Sequence, residues 1–377
     1  MKFVVSSNEL YQQLQTVAKV INSKSSAAVP VLENILFSLS GAELTLVAAD
    51  QSNRMTSRLS VESLEGDGSF AVRADTILNA LRELPDQPIE LEVQEGKANL
   101  VYSNGHYSFL AIDSDSFPES IAFDPEHSIE IPAPALLRAI ESTVFAASDN
   151  ERRPIMTGVF LDFFEEKLVA VASDGRILVR YTDNNIKSGQ QMSFCLPSRI
   201  AALLSRYLLV KETGVVRIRF NQQNVSFELP HVELTARLLE GKYPNYNSVI
   251  PPSSTHHIPV DLPLLISASK RVALFASKAS TLIIFDFTEG SARISAQDFD
   301  ISTSAEETIP ASGQAAGSLV RIGFDYNCLQ SLLQSFAGEQ IEIALTDQTR
   351  AGIITPLQTE EGIEICTLII PMKLIGE

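Results

Sequence analysis

Leu44-Thr45-Leu46-Val47-Ala48-Ala49-Asp50 is an apolar run closed by an aspartate. It returns as Val169-Ala170-Val171-Ala172-Ser173-Asp174 and again as Ala292-Arg293-Ile294-Ser295-Ala296-Gln297-Asp298, each closing aspartate 124 residues after the last. Other landmarks keep the stride. Phe117-Pro118, Tyr243-Pro244 and Ile370-Pro371 lie 126 and 127 residues apart, and Asp75, Ser198 and Asp325, each heading an apolar periodic stretch, are separated by 123 and 127. A period this long is a whole domain, since solenoid repeats run to about 20 to 50 residues. Three similar domains are therefore expected, near 1–123, 124–251 and 252–377, each long enough to bury its own core.

Within each copy one helical period alternates with several strand periods. Leu10, Leu14, Val17 and Ile21 follow the spacing of an amphipathic helix, with Ser7 or Asn8 placed to cap it. Val31 to Leu39, Leu44 to Ala49 and Met55 to Val61 read as strands. Asp75, Ile77, Leu78 and Leu81 then mark a second helix stopped by Pro85, and three further strands close the copy at Leu91 to Val93, Ala98 to Tyr102 and Tyr107 to Ile112. Leu136, Leu137, Ile140 and Val144, with Ile200, Leu203, Leu204 and Leu208, give the second pair of helices; Leu264, Leu265, Val272 and Phe275, with Leu329, Leu332, Leu333 and Phe336, give the third. The fold class is α+β, with two helices and about eight strands per copy.

Composition, at 45% hydrophobic and 20% charged residues, fits folded material. The apolar start Met1-Lys2-Phe3-Val4-Val5 is too short for a signal peptide and no run approaches a membrane span, so a cytoplasmic protein with no membrane partner is expected. Cys195, Cys328 and Cys366 are odd in number and lack CxxC spacing, which points to neither a disulfide framework nor a zinc site. His106, His127, His231, His256 and His257 form no metal spacing, and no phosphate-cradling glycine motif is present. No metal or cofactor is expected, and no nucleophile stands beside a base. The three repeated aspartates are expected to form turns rather than a metal cluster.

The net charge of −17 taken alone argues against nucleic acid. Its distribution differs: six helical windows hold nine Lys or Arg against six Asp or Glu, a balance of +3 that leaves −20 on the rest. Helices turned toward a common anionic partner and helices with merely solvated faces both satisfy those counts.

Ala172-Ser173-Asp174-Gly175-Arg176-Ile177-Leu178 resembles the [TS]-D-G-x-R-L segment of the bacterial DNA polymerase III β subunits, the sliding-clamp family. Gly241-Lys242-Tyr243-Pro244-Asn245-Tyr246 with Val249-Ile250-Pro251 is similar to that family's G-x-[FY]-P-[DN]-Y…[VL]-[IL]-P, and Ile370-Pro371-Met372-Lys373-Leu374 to its M-P-M-[RK]-L ending. The likeness runs from Met1-Lys2-Phe3 onward with the triplication in register. Arg176 departs from a frequent His, Ile177 from a common Arg and Ser248 from a frequent basic residue, while Ile375-Gly376-Glu377 extends past the usual ending.

The resemblance implies a non-catalytic processivity factor: a head-to-tail homodimer whose six domains ring duplex DNA and tether the replicative polymerase, the clamp loader and other motif-bearing proteins. Twelve helices side by side at ~8 to ~10 Å would leave a hole of ~20 to ~28 Å, against a duplex about 20 Å wide. By family position the DNA-facing cations would be Lys24, Arg82, Arg152, Arg153, Arg199, Arg206, Lys270 and Lys278. A partner-peptide groove between domains two and three would use Met156, Ser173, Gly175, Arg176, Leu178, Pro244 and Val249, with Ile369, Ile370, Pro371, Met372 and Leu374 from the tail. Tyr107 and Phe109 would meet Leu274 and Phe275 across the dimer seam. Two rival classes are a hydrolase, which would need paired acids at a cleft, and a three-domain protein-binding scaffold that does not encircle DNA.

Overall fold

The computed structural model describes residues 1–22, 29–119, 123–312 and 320–374. Lys24 and the Ile375-Gly376-Glu377 extension fall outside them. Six α-helices are present among the described residues: α1 (Ser7–Val17), α2 (Ala74–Arg82), α3 (Ala133–Glu141), α4 (Ser198–Leu203), α5 (Leu262–Ala273) and α6 (Tyr326–Ser335). The sequence thus places two helices in every copy correctly.

Local chemistry sets the helix ends. Ser6, one residue before the expected caps, holds α1: its Oγ accepts from Glu9 N at 3.3 Å. Ser7 is instead buried, donating to Pro85 O at 3.0 Å. Leu10, Leu14 and Val17 form the buried stripe, but the chain then tightens into a 3₁₀ turn at Ala18–Val20, so Val20 rather than Ile21 completes it. α5 and α6 are capped by Asp261 and Asp325, whose carboxylates accept from Leu264 N and Asn327 N, each at 2.8 Å.

The repeated aspartates are turn formers. Asp50 Oδ1 accepts from Ser52 N and Asn53 N, both at 2.8 Å, and Asp174 Oδ1 from Arg176 N at 2.7 Å and Ile177 N at 2.8 Å. Asp298 Oδ1 accepts from Asp300 N at 2.9 Å. Each ties its strand to the next by saturating amides that the bend would leave unpaired.

Packing follows sheets rather than sequence copies. One compact unit contains Met1–Leu136 with Leu203–Leu238, the other Leu137–Ala202 with Leu239–Glu377. In the first, five strands form one antiparallel sheet that ends on Gly105–Leu110, and nine form another. The nine-stranded sheet is continuous because Asn53–Ser60 of the first copy pairs with Val232–Arg237 of the second, Asn53 opposite Ala236. In the second unit an eight-stranded sheet repeats that seam: Ile177–Asp183 pairs with Ile363–Ile369, Ile177 opposite Ile369. A four-stranded sheet there ends on Thr303–Pro310. Apolar residues on the inner faces, among them Phe3, Phe37, Phe163, Phe227, Phe285 and Phe324, are almost wholly buried and supply the core. Among the described residues no helix is long and apolar enough to cross a membrane.

Candidate functional site

A cavity of about 270 Å³ opens in the second compact unit, beside the Ser173-Asp174-Gly175 turn. That turn is fixed from within. Ser173 Oγ donates to Ile177 O at 2.7 Å and accepts from Gly175 N at 3.1 Å. Gly175 sits at φ +92°, a left-handed conformation that a side chain would strain.

The floor is apolar. Leu178 and Leu368 face each other across the ladder between Ile177–Asp183 and Ile363–Ile369, and both belong to a buried cluster with Val171, Cys195 and Tyr243. The Tyr243 ring stacks on Phe160 at 4.8 Å and 6° between planes. Tyr246 tilts over the same ring and its OH donates to Asp162 Oδ2 at 2.9 Å. Burial pushes the Asp162 carboxyl above its ordinary range against the opposing effect of that hydrogen bond, and burial likewise raises the Tyr246 hydroxyl. Asn245 caps the short 3₁₀ turn Tyr246–Val249, which presents Val249 at the rim, 55% exposed. Opposite, Pro154 starts the 3₁₀ turn Pro154–Thr157 that brings Met156 to the wall.

The mouth is cationic: Arg153 and Arg176 stand there, Arg176 70% exposed and reaching Asp325 Oδ2 at 3.3 Å. Such a site suits an extended segment with apolar side chains, which the floor desolvates while the rim stays wet. Among the described residues no group of three His, Cys, Asp or Glu could hold a metal ion.

Of the twelve residues expected in the groove, Met156, Ser173, Gly175, Arg176, Leu178, Pro244, Val249 and Ile370 line the cavity. Ile369, Pro371, Met372 and Leu374 do not. Strand alternation sends Leu368 into the cavity and Ile369 to the opposite face, where it is 1% exposed. Past Ile370 the tail turns onto Val320–Asp325: Met372 N donates to Gly323 O at 2.8 Å. Leu374 packs so closely there that a Cβ on Gly323 would meet its Cδ2 at 2.7 Å. Ile177, Tyr243, Asn245, Tyr246, Ala351 and Leu368 also line the cavity and were not expected. The quoted Gly241 to Tyr246 motif already held three of them; Ala351 carried no signal.

Burial pushes the Cys195 thiol, behind the Tyr243 ring, up to about 12. At pH 8 about one such thiol in ten thousand is ionised, so iodoacetamide is expected to spare Cys195 in the folded chain and label it after urea unfolding. Peptide mass spectrometry reads this; rapid native labelling of Cys195 would mean the cluster is open.

The cations are scattered over different local structures. Arg82 ends α2 and pairs with Glu83 at 3.3 Å, Arg199 is half-buried in α4, Arg206 is exposed on the π-helical turn Leu204–Leu208, and Lys270 is exposed on α5. Arg152, Arg153 and Lys278 lie in turns rather than helices, and Arg153 belongs to the cavity mouth. Of the seam residues, Leu274 is 79% and Phe275 41% exposed, whereas Phe109 is only 7% exposed and packs inside its own chain. Tyr107 is half-buried, its ring 5.1 Å from that of Tyr102.

Three family models match in succession: DNA polymerase III beta subunit, N-terminal domain, over residues 1–121, the central domain over 130–245 and the C-terminal domain over 247–373. The chain is 28% identical to the beta sliding clamp of Synechococcus elongatus, covering 99% of this chain and 100% of that one. It is 26% identical to that of Bacillus subtilis at the same coverage. The crystal structure of the Bacillus subtilis DNA polymerase sliding clamp aligns at a TM-score of 0.90 and 25% identity over 99% of both chains. A Pseudomonas aeruginosa sliding clamp bound to griselimycin aligns at 0.93 and 24%, over 99% of this chain and 100% of that one. Matched in all three of its tandem parts, the chain belongs to the DNA polymerase III beta subunit family, the non-catalytic sliding clamps of replication processivity.

Proposed function

We propose that two copies of this chain join head to tail into a six-domain ring that encircles double-stranded DNA without reading its sequence. One observation carries the proposal. Each seam inside the chain joins the fourth strand of one copy to the last full strand of the next, as Asn53–Ser60 meets Val232–Arg237 and Ile177–Asp183 meets Ile363–Ile369. The two strands at the equivalent places, Gly105–Leu110 in the first copy and Thr303–Pro310 in the third, are the outer strands of their sheets. Unpaired edges of this kind invite pairing, and two chains that pair them repeat the internal seam and close after half a turn. Leu274, with the 80% exposed Phe299 and 68% exposed Ile301, offers apolar area in the third copy, and Leu110, 74% exposed, offers it in the first. In this reading Leu110 takes the role expected of Phe109.

The ring acts in the cytoplasm and holds the replicative polymerase, the clamp loader and other partners through short peptides seated in the cavity beside Leu178. Griselimycin bound to the Pseudomonas aeruginosa clamp fits the idea that such surfaces take compact ligands. DNA contact falls to exposed cations directed at phosphates, weak enough to slide.

Two measurements test the ring. Light scattering is expected to give twice the 41.2 kDa chain mass. The loaded protein is expected to stay on nicked circular DNA and to leave when the circle is cut, because a topological link is lost once ends appear. A monomer, or retention indifferent to cutting, would favour the scaffold that does not encircle DNA.

A further inference from the structure

The first sequence copy builds the same groove wall and then covers it. Pro30–Glu33 is a 3₁₀ turn with proline at its start, like Pro154–Thr157, and it places Leu32 where the second copy places Met156. Leu32, Val47, Ala49, Ala71 and Phe117 form one buried apolar cluster. They stand 124 or 126 residues before Met156, Val171, Ser173, Cys195 and Tyr243, which build the cavity and its backing. The seam beside it matches too: Arg237 N donates to Ser52 O at 3.1 Å, as Ile370 N donates to Arg176 O at 2.8 Å.

Two side chains differ. Arg54 stands in the place of Leu178 and Arg237 in the place of Ile370. Arg54 Nη1 donates to Pro118 O at 3.0 Å, and its guanidinium lies 5.8 Å from the centre of the Phe117 ring. Pro118 and Phe117 are the counterparts of Pro244 and Tyr243, so the long side chain lies across the surface that is open in the second copy. Its environment is poorly matched to a charge: burial lowers the guanidinium from its usual range. An aliphatic residue loses one carbonyl hydrogen bond there and removes that mismatch.

We propose that Arg54 is a plug: the first copy contains a latent second peptide groove, and Arg54 restricts each chain to a single bound peptide. The ligand class is that of the open cavity, a short segment with aliphatic and aromatic side chains, so the inference rests on the peptide-groove reading above. The apolar cluster supplies the floor, and the selection between grooves comes from one position per copy, Arg54 or Leu178.

Calorimetric titration of the dimeric protein with the probe acetyl-Gln-Leu-Ala-Leu-Phe separates the possibilities. The unaltered chain is expected to bind one peptide. Arg54→Leu and Arg54→Met are each expected to bind two, Leu178→Arg none, and the double variant Arg54→Leu with Leu178→Arg one. Melting temperature and mass verify that each variant is folded. Folded Arg54→Leu and Arg54→Met chains that both saturate at one peptide would overturn the plug. So would a Leu178→Arg chain that still binds one, since an arginine would then not close a groove of this shape. A wild-type chain that binds none would instead remove the peptide-groove reading itself.

Discussion

Reversing Arg152, Arg206, Lys270 and Lys278 to glutamate is expected to abolish retention on nicked circular DNA while leaving the fold and the dimer mass unchanged. These four are the expected DNA-facing cations that are exposed and make no ion pair among the described residues. Arg82 is different because Glu83 already compensates it, and Arg153 because it stands at the cavity mouth. Four lost phosphate contacts flatten the dependence of log K on log salt by about 3.6, and each reversal also replaces attraction with repulsion in both chains of the ring. On a chain of net charge −17 no other surface compensates at long range. Stability is expected to change by about 0.5 kcal/mol or less, because exposed side chains without partners contribute little to it. Retention that survives in a folded, dimeric quadruple variant would show that the duplex does not pass these cations.

Sequence periodicity made the copies and their helices legible because each helix has to bury a stripe every three to four residues, and Leu10, Leu14 and Val17 do so. It could not reveal that the sheets run through the copy boundaries. Nothing local in Met55 or Leu59 says that their strand will pair with Val232–Arg237, since pairing partners are chosen by the assembled core. Motif spacing likewise brought Met156, Ser173, Leu178, Pro244 and Ile370 to one cavity, and it failed where backbone geometry decides direction. Leu368, Ile369 and Ile370 are equally apolar in sequence. Alternation along the strand gives the first to the cavity and the second to the core, and the end of the strand returns the third. Met372 was misplaced for a related reason: its amide is used by Gly323, which draws the tail onto the neighbouring strand. Phe109 was misread as a surface residue because a phenylalanine on an edge strand suits core and interface alike, and only its 7% exposure separates them.

That direction of the tail identifies the substitution that separates peptide binding from folding. Ile370 is 52% exposed, lines the cavity, and is tied down only through its backbone, whose N–H reaches Arg176 O at 2.8 Å. Ile370→Asp leaves that bond intact and is expected to change stability by less than about 1 kcal/mol. A seated peptide, however, loses about 1.5–3 kcal/mol of apolar burial and must also desolvate a carboxylate, so affinity is expected to fall about 100-fold or more. Met372→Asp is expected to leave affinity near the wild-type value, because its backbone bond to Gly323 lies outside the cavity. Truncation before Ile369 is a poorer probe: it deletes the pairing of Ile369 with both Ile177 and Gly352, so the strand that carries Leu368 frays with it. Fluorescence anisotropy with a labelled acetyl-Gln-Leu-Ala-Leu-Phe peptide, read beside the melting temperature, distinguishes these outcomes. Binding by Ile370→Asp within threefold of wild type would place the peptide elsewhere on the chain.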